Sequence, residues 1–443
     1  MSSILTNNGA MVALQTLKSI NSNLLDTQSE ISTGKRVATS KDNSAVWAIS
    51  KVMEADVKGF KGISDSLNLG QSTVAVARQA AETTTELLTE IKARIVAAQE
   101  ENVDRDKIQA DIDALRNQIV GVVGAAQFNG LNLLSNTDTT AGTGSVNILA
   151  SLDRSGTGVT ASDITVQKQD LGLGAASIDV ASAAATAAAS DVLSGAANTS
   201  AVALTGNATQ PTTAAVVGQT AGAGTATVAA GTGFSIEITG GAAGLATFNT
   251  TATAGAQEIT YVARDGDTEA DVTAGLVAAF NKYVADNSDI TDGLGIAAAV
   301  NATNANQIDF TGANNAGDNF SVQVRSYDLG DATIGGRLEA LADIDVTTQE
   351  GADAALLEVE TLIQIAIDSA SAFGSAQGRI ETQADFVSQL TDALKSGIGA
   401  LVDADMEEAS ARLQALQVQQ QLGVQALSIA NQAPQSLLSL FQG

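Results

Sequence analysis

The side chains able to do chemistry in this 443-residue sequence are carboxylates, and few stand in useful company. Asp265-Gly266-Asp267 is spaced like the start of a calcium loop, but the further carboxylates such a loop needs do not follow. A turn, with Asp267 capping a helix behind it, is the better reading. Asp403, Asp405, Glu407 and Glu408 crowd into one short segment. Paired carboxylates can divide acid and base work, but these four lie between two stretches of helical period and read as a hydrated link. There is no histidine, which removes the usual general base, the near-neutral titrating group, the imidazole ligand and any HExxH zinc site together. There is no cysteine, hence no thiolate and no disulfide. No nucleophile motif appears, so no catalytic, cofactor-binding or metal-ligating residue is assigned and no enzyme activity is expected. Asn198, Asn207, Asn249 and Asn301 stand in N-x-S/T contexts, which a Thr-rich sequence produces by chance.

Charge narrows the partners. Lys and Arg number 22 against 49 Asp and Glu, a formal charge of -27. Such a polyanion does not hold nucleic acid or an anionic membrane through its net field, and it resists unspecific clumping. No basic-then-apolar leader opens the sequence and no stretch reaches the length of a membrane span. Aromatic residues make up only 3%, which predicts an aliphatic core.

What the sequence does position is apolar surface. From Val46 to Ala98 apolar residues recur in steps of three and four through Ile49, Met53, Phe60, Ile63, Leu67, Val74, Leu88, Ile91 and Ile95. That heptad-like seam, free of proline, predicts one helix of roughly 80 Å at about 1.5 Å per residue, packed along other helices. Residues 1–33 form a thinner helix on Leu14, Leu17, Leu24 and Ile31, with Asn21 and Gln28 inside the seam and Ile20 beside it. So narrow a stripe does not hold a helix alone in water. Gly34 suits a helix end, and Asp42, Asn43 and Ser44 are candidate caps for the long helix. Asp104 caps a third helix through Ile112, Leu115 and Ile119, and Phe128-Asn129-Gly130 marks a turn. Val146–Ile148 and Ile164–Val166 read as two short strands of one hairpin.

Between about 172 and 345 Ala, Gly and Thr take over, and residues 181–232 approach low complexity. Strands are predicted at 234–238, 259–262, 296–300, 307–310 and 320–324, with a helix over 268–285. The helical period returns at 348 through Val359, Leu362, Val387 and Leu390, loosened by Gly397 and Gly399. A last seam through Leu413, Leu416, Gln420 and Leu427 stops before Pro434, and Leu437 and Leu440 lie in an apolar tail. The fold class is α+β, mainly α: a long coiled-coil-like helical rod formed by both chain ends, with a β-rich insert. The ends mirror one another and can pair. Ends that are helical but too thin to stand alone need further copies of themselves.

Three patterns carry a family resemblance: TQSEISTGKRVATSKDNSAVWAIS at 27–50, AAQFNGLNLL at 125–134 and QQQLGVQALSIANQAPQSLLSLF at 419–441. In order and position they resemble bacterial flagellin, over roughly 1–170 and 345–443. The resemblance implies a subunit that polymerises into the flagellar filament, the propeller for swimming. Residues 1–33 and 409–443 would be the terminal helices of the inner tube, 34–45 and 397–408 the links, 46–171 and 346–396 the helical rod with its hairpin, and 172–345 the variable outer domain or domains. Leu14, Leu17, Leu24, Ile31, Leu413, Leu416, Leu427, Leu437 and Leu440 would pack the inner tube. Ile49, Met53, Phe60, Ile63, Leu67, Leu88, Ile91, Ile95, Ile112, Leu115, Ile119, Val359, Leu362, Val387 and Leu390 would pack the rod. It also implies secretion by the flagellar type III export apparatus with an export chaperone, contacts with filament cap and junction proteins, and an extracellular location. Two nearly equal packings of the rod would give the supercoil, with the 146–166 hairpin in the switch region. Many flagellins carry a basic pair near 88–97 that a toll-like innate receptor reads; Glu90 stands where an arginine usually does, which implies weak receptor activation. Two other readings are a hook–filament junction protein, which shares the ends but assembles as one ring, and an adhesin that binds through the insert.

Overall fold

A computed structural model describes residues 7–155, 158–178, 202–204, 210–217, 221–241, 245–250, 259–327 and 332–441. In chain order the elements are α1 (Asn8–Thr33), α2 (Ser44–Ala98), α3 (Arg105–Ala125), β1 (Gln127–Phe128), β2 (Leu131–Asn132), β3 (Ser145–Ser155), β4 (Gly158–Gln167), β5 (Ser177–Ile178), β6 (Val202–Leu204), β7 (Thr212–Val216), β8 (Gly233–Gly240), β9 (Thr260–Val262), α4 (Glu269–Asp286), α5 (Ser288–Thr291), β10 (Ala297–Val300), β11 (Gln307–Thr311), β12 (Phe320–Tyr327), β13 (Ala332–Thr333), a 3-10 turn at Glu339–Ala342, α6 (Gln349–Val402) and α7 (Met406–Phe441). They divide into two compact units. The first holds Met1–Asp65, Ser151–Thr160 and Ala384–Gly443; the second holds Ser66–Ala150 and Ala161–Gln383.

The helix ends follow local chemistry. Asn43 Oδ1 accepts the Val46 N–H at 3.2 Å and starts α2, while Asp42 instead accepts the Ala38 and Thr39 N–H groups of the preceding turn. Asp104 accepts the Lys107 N–H and starts α3. Gly34 closes α1 at φ 68°, a conformation that spares glycine the Cβ clash other residues meet. The Asn129-Gly130 pair has φ 51° and 79°, and turns β1 back on β2 as a type I′ hairpin does.

In the second unit α6 runs antiparallel to α2. Gln71 Nε2 donates to Glu381 Oε1 at 3.0 Å, Arg78 Nε to Gln377 Oε1 at 2.9 Å, Lys92 pairs with Glu360, and Gln349 Nε2 donates to Gln99 Oε1 at 2.6 Å. Every third or fourth residue of α2 is buried from Leu67 to Ala98, with Leu88, Ile91 and Ile95 at 0% exposure; Val359, Leu362 and Phe373 of α6 and Ile112 and Ile119 of α3 are also buried. Leu115 is half-buried.

In the first unit Ile63 and Val387 are buried, Met53, Phe60 and Leu390 half-buried, and Ile49 is 54% exposed. The seam assignment of Ile49 is therefore corrected. Its neighbour Ser50 is buried instead, at 2% exposure, with its hydroxyl donating to the Trp47 carbonyl.

The two larger antiparallel sheets of the insert pack around α4, beside the short β5–β13 pair. One has strand order β10-β11-β7, the other β6-β12-β8-β9. Along β12 Phe320, Val322 and Val324 are buried, and the next residue, Arg325, meets Glu237 of β8 at 2.6 Å. An aliphatic core was the expectation from composition, and most of the insert's core is Ala, Val, Leu and Ile, but five phenylalanines are set among them. Phe234, Phe248, Phe280, Phe310 and Phe320 are all buried, Phe280 and Phe310 with ring centroids 5.1 Å apart and Phe248 and Phe320 at 5.6 Å. Half of the ten phenylalanines sit in this one core, a concentration that a whole-chain percentage averages away. The cap of α4 is Thr268, in a reciprocal capping box with Asp271, and not Asp267. Strands β5, β6, β7 and β13 had no counterpart in the sequence reading.

Candidate assembly surface

The terminal helices lie antiparallel in the first unit. Asn7 Nδ2 donates to the Ala430 carbonyl at 2.8 Å, Gln420 Nε2 to Asn21 Oδ1 at 2.8 Å, and Ala404 N to the Gly34 carbonyl at 3.1 Å. A Cβ at Gly423 would lie 3.1 Å from Leu17 Cδ1, so that glycine lets the two backbones come close. On α7 the inward face is the heptad Ala409, Leu413, Leu416, Gln420, Gly423, Leu427, Ala430; Ala409 and Leu416 are buried and the others half-buried. On α1 the inward face is Leu17, Ile20, Leu24, Thr27 and Ile31, with Ile20 at 9% and Thr27 at 3% exposure. Thr27 is tolerated there because its hydroxyl donates to the Asn23 carbonyl at 2.8 Å. Leu14 is 44% exposed, so it stands off that face, and Ile20, placed beside the seam by periodicity, is in it. The seam was expected to stop before Pro434, whereas α7 itself continues to Phe441. The side chains of Leu437 and Leu440 lie outside the described residues.

The pair leaves its other faces apolar as well. Met11, Val12, Leu14 and Leu25 on α1 are 44–65% exposed, and Val418, Leu422, Val424 and Ile429 on α7 are 54–69% exposed. With Ile49, Val52, Phe386 and Met406, twelve of the eighteen large apolar side chains exposed among the described residues belong to the first unit. Fully burying one such side chain is worth about 1.5–3 kcal/mol. Eight of them lie on these two adjacent helices, and clustered exposed apolar side chains mark an interaction surface.

The links are built from backbone. Lys35 and Asp403 form an antiparallel bridge, and the Arg36 and Val37 N–H groups both reach the Val402 carbonyl, at 2.8 and 3.3 Å. In the acidic segment Asp405 Oδ1 accepts the Glu407 and Glu408 N–H groups and starts α7, where negative charge suits the helix dipole, and Glu408 pairs with Arg412. Asp265 likewise has a structural partner: its Oδ2 accepts the Gly142 and Gly144 N–H groups at 2.9 and 2.7 Å. Asn249 accepts from the Gly240 N–H and donates to the Ala246 carbonyl, and Asn301 accepts from the Thr303 and Asn304 N–H groups and donates to Asp309 Oδ2; Asn198 and Asn207 lie outside the described residues. Glu90 faces Arg94 at 3.6 Å, and Arg94 also faces Asp111.

The hairpin of β3 and β4 meets α2 at two glycines. In the second unit a Cβ at Gly70 would come within 2.6–2.9 Å of three Ile148 side-chain atoms, and in the first a Cβ at Gly59 would lie 3.1 Å from Leu152 Cδ1.

Both ends of the chain match family models, "Bacterial flagellin N-terminal helical region" over residues 4–139 and "Bacterial flagellin C-terminal helical region" over 356–441. A flagellin A of Rhizobium meliloti is 34% identical with the whole of both chains covered, and a flagellin D of Rhizobium meliloti strain 1021 is 36% identical with the same coverage. The chain belongs to the bacterial flagellin family. This flagellin is a structural protein, a subunit of the bacterial flagellar filament, and the filament is extracellular. Among solved structures, a flagellar hook associated protein-3 from Legionella pneumophila covers 79% of this flagellin and 98% of its own chain, at 10% identity and a TM-score of 0.35. No described helix of this flagellin is long and apolar enough to cross a membrane.

Proposed function

We propose that this flagellin polymerises by stacking its α1–α7 pairs against those of neighbouring copies, so that Leu14, Leu17, Leu24, Ile31, Leu413, Leu416 and Leu427 serve an inner tube. The observation that carries this is the antiparallel pair with apolar residues on its outer faces as well as its inner one. Burial between copies supplies what the thin helices lack alone, and the chain's charge of -27 keeps the unassembled subunit from clumping. The α2–α6 seam serves an outer tube, the 34–45 and 397–408 segments join the tubes, and residues 172–345 project outward. The subunit has no enzyme activity. It leaves the cell through the flagellar export apparatus with an export chaperone and meets cap and junction proteins at the tip. Mild acid depolymerisation followed by neutral reassembly tests the reading: electron microscopy should show filaments on the order of a micrometre long. Rings alone would support a junction protein, and persistent monomers would defeat polymerisation altogether.

The hairpin on Gly59 and Gly70 is the proposed seat of the supercoil switch. Gly70→Ala forces Ile148 to move within a packed site, at a cost of about 1–3 kcal/mol. The expected result is a changed filament waveform under dark-field microscopy, with recovery when Ile148→Ala, which removes all three crowded atoms, is added. An unchanged waveform would place the switch elsewhere. The Glu90–Arg94 pair supports weak activation of a toll-like receptor, and a cell reporter assay that responds to monomer as strongly as to a receptor-active flagellin would refute it.

A further inference from the structure

Asn7 and Pro434 lie at opposite ends of the chain, and each is unremarked by periodicity. Asn7 is the N-cap of α1: its Oδ1 accepts the Ala10 N–H at 3.0 Å. Its Nδ2 donates to the Ala430 carbonyl of α7 at 2.8 Å. In an α-helix the carbonyl of residue 430 accepts the N–H of residue 434. Residue 434 is proline, inside α7, and has no N–H to give. The helix therefore has one orphan acceptor in its interior, and the Asn7 amide reaches that acceptor. The two ends of one amide group do two separate jobs, one local and one across 423 residues of sequence.

We propose that Asn7 is a positioning residue for filament assembly, pinning the axial register of α1 against α7 by filling the hydrogen bond that Pro434 leaves open. The apolar contacts of the pair are not directional, and sliding by a turn would keep many of them. A single directional polar partnership, here half-buried, is the kind of contact that disfavours such slides. Asn21 and Gln420 supply a second one further along, and the two together define one alignment. With the register fixed, the outer apolar faces present the same surface in every copy, which a closed helical lattice requires. Asn is the residue that can do this. Ser and Asp cap a helix as well but offer no amide donor.

This inference rests on the polymerisation proposed above, and a double-mutant cycle tests it on full-length chains. Asn7→Ser keeps a good N-cap and removes the donor; Pro434→Ala restores the helix's own donor to Ala430. The critical concentration for polymerisation is measured for the wild type, both single variants and the double variant. Asn7→Ser is expected to raise it about fivefold or more, the size of an orphaned acceptor's cost. In the Pro434→Ala background the same change should raise it less than about twofold, because nothing is left unpaired. Equal effects in the two backgrounds, or none in either, would overturn the pin while filaments still form. A wild-type chain that never polymerises would overturn the polymerisation itself, and the pin with it.

Discussion

Arg264→Ala is expected to destabilise the insert by about 3–5 kcal/mol, because it strands a buried carboxylate. Arg264 and Asp170 have side chains only 8% and 1% exposed, with Nε and Oδ2 3.1 Å apart. Around the guanidinium, Nη1 donates to the Tyr261 hydroxyl at 2.9 Å, Nη2 donates to the Gly335 carbonyl, and the backbone N–H donates to Asp267 Oδ2 at 2.8 Å. Tyr261 in turn donates to Asp267 at 2.7 Å. Burial works against the charge on Arg264, but the oxygens of Tyr261, Asp170 and Asp267 outweigh it and hold the proton more firmly than usual. Burial also lifts Asp267 and Glu339 above the ordinary carboxylate range. The chain enters the insert at Asp170 and leaves it beside Gly335, so this one side chain ties both strands of the neck to the 261–267 segment. The Gly336–Gly172 approach shows how tight the neck is: a Cβ at Gly336 would sit 1.9 Å from the Gly172 carbonyl oxygen. Urea unfolding followed by circular dichroism checks the value, and Arg264→Met with Asp170→Asn should recover most of the loss. A change below about 1 kcal/mol would show the network to be peripheral to stability.

The second large effect depends on pH. Glu358 of α6 faces Lys282 and Asp286 of α4 and Asp343 beyond the 3-10 turn; Lys282 Nζ lies 2.7 Å from Asp286 and 3.4 Å from Asp343. One lysine thus serves three carboxylates. Burial is the main reason the Glu358 carboxyl is pushed up from 4.5 to about 7; Lys282 opposes this, and Asp286 and Asp343 add to it. The sign follows from the two states. Below the ordinary value both the folded and the unfolded chain hold the proton, and no penalty exists. Between 4.5 and about 7 the unfolded chain releases it while the folded chain keeps it, so stability falls as pH rises and levels off above about 7. The full shift corresponds to about 3 kcal/mol, and the half-buried position reduces this to about 2 kcal/mol. Glu358→Gln should therefore stabilise the second unit by about 2 kcal/mol near pH 8 and leave it unchanged near pH 4. Calorimetric melting at the two pH values checks this. An equal gain at both would assign the effect to packing.

Much of the helical part was legible because period is an additive signal. Over α2 the step of three and four repeats for fifty-five residues, and no other backbone puts those residues on one face. The caps at Gly34, Asn43 and Asp104 were legible for a simpler reason, since each acts within four residues of itself. The insert was harder. Strands β6 and β7 are Val-Ala-Leu and Thr-Thr-Ala-Ala-Val, cut from an Ala and Thr background with almost no contrast between faces. They are strands because β12 and β11, more than ninety residues away, offer them an edge. Thr268 had a readable signal in the Asp three residues on, but the Asp265-Gly266-Asp267 turn drew the cap one residue early.

By itself the sequence determined where the long helical stretches lie and that histidine and cysteine side chains are absent, because each of these depends on residue type and local spacing. Only the tertiary structure decided that Ile20 and not Leu14 faces α7, that Ser50 replaces Ile49 in the seam, that α7 passes through Pro434, and that Arg264 holds the neck. Those outcomes depend on which distant group arrives within hydrogen-bonding or van der Waals reach. The carbonyl that Pro434 leaves without its helical donor meets Asn7, 423 residues away, and no local pattern announces that arrival.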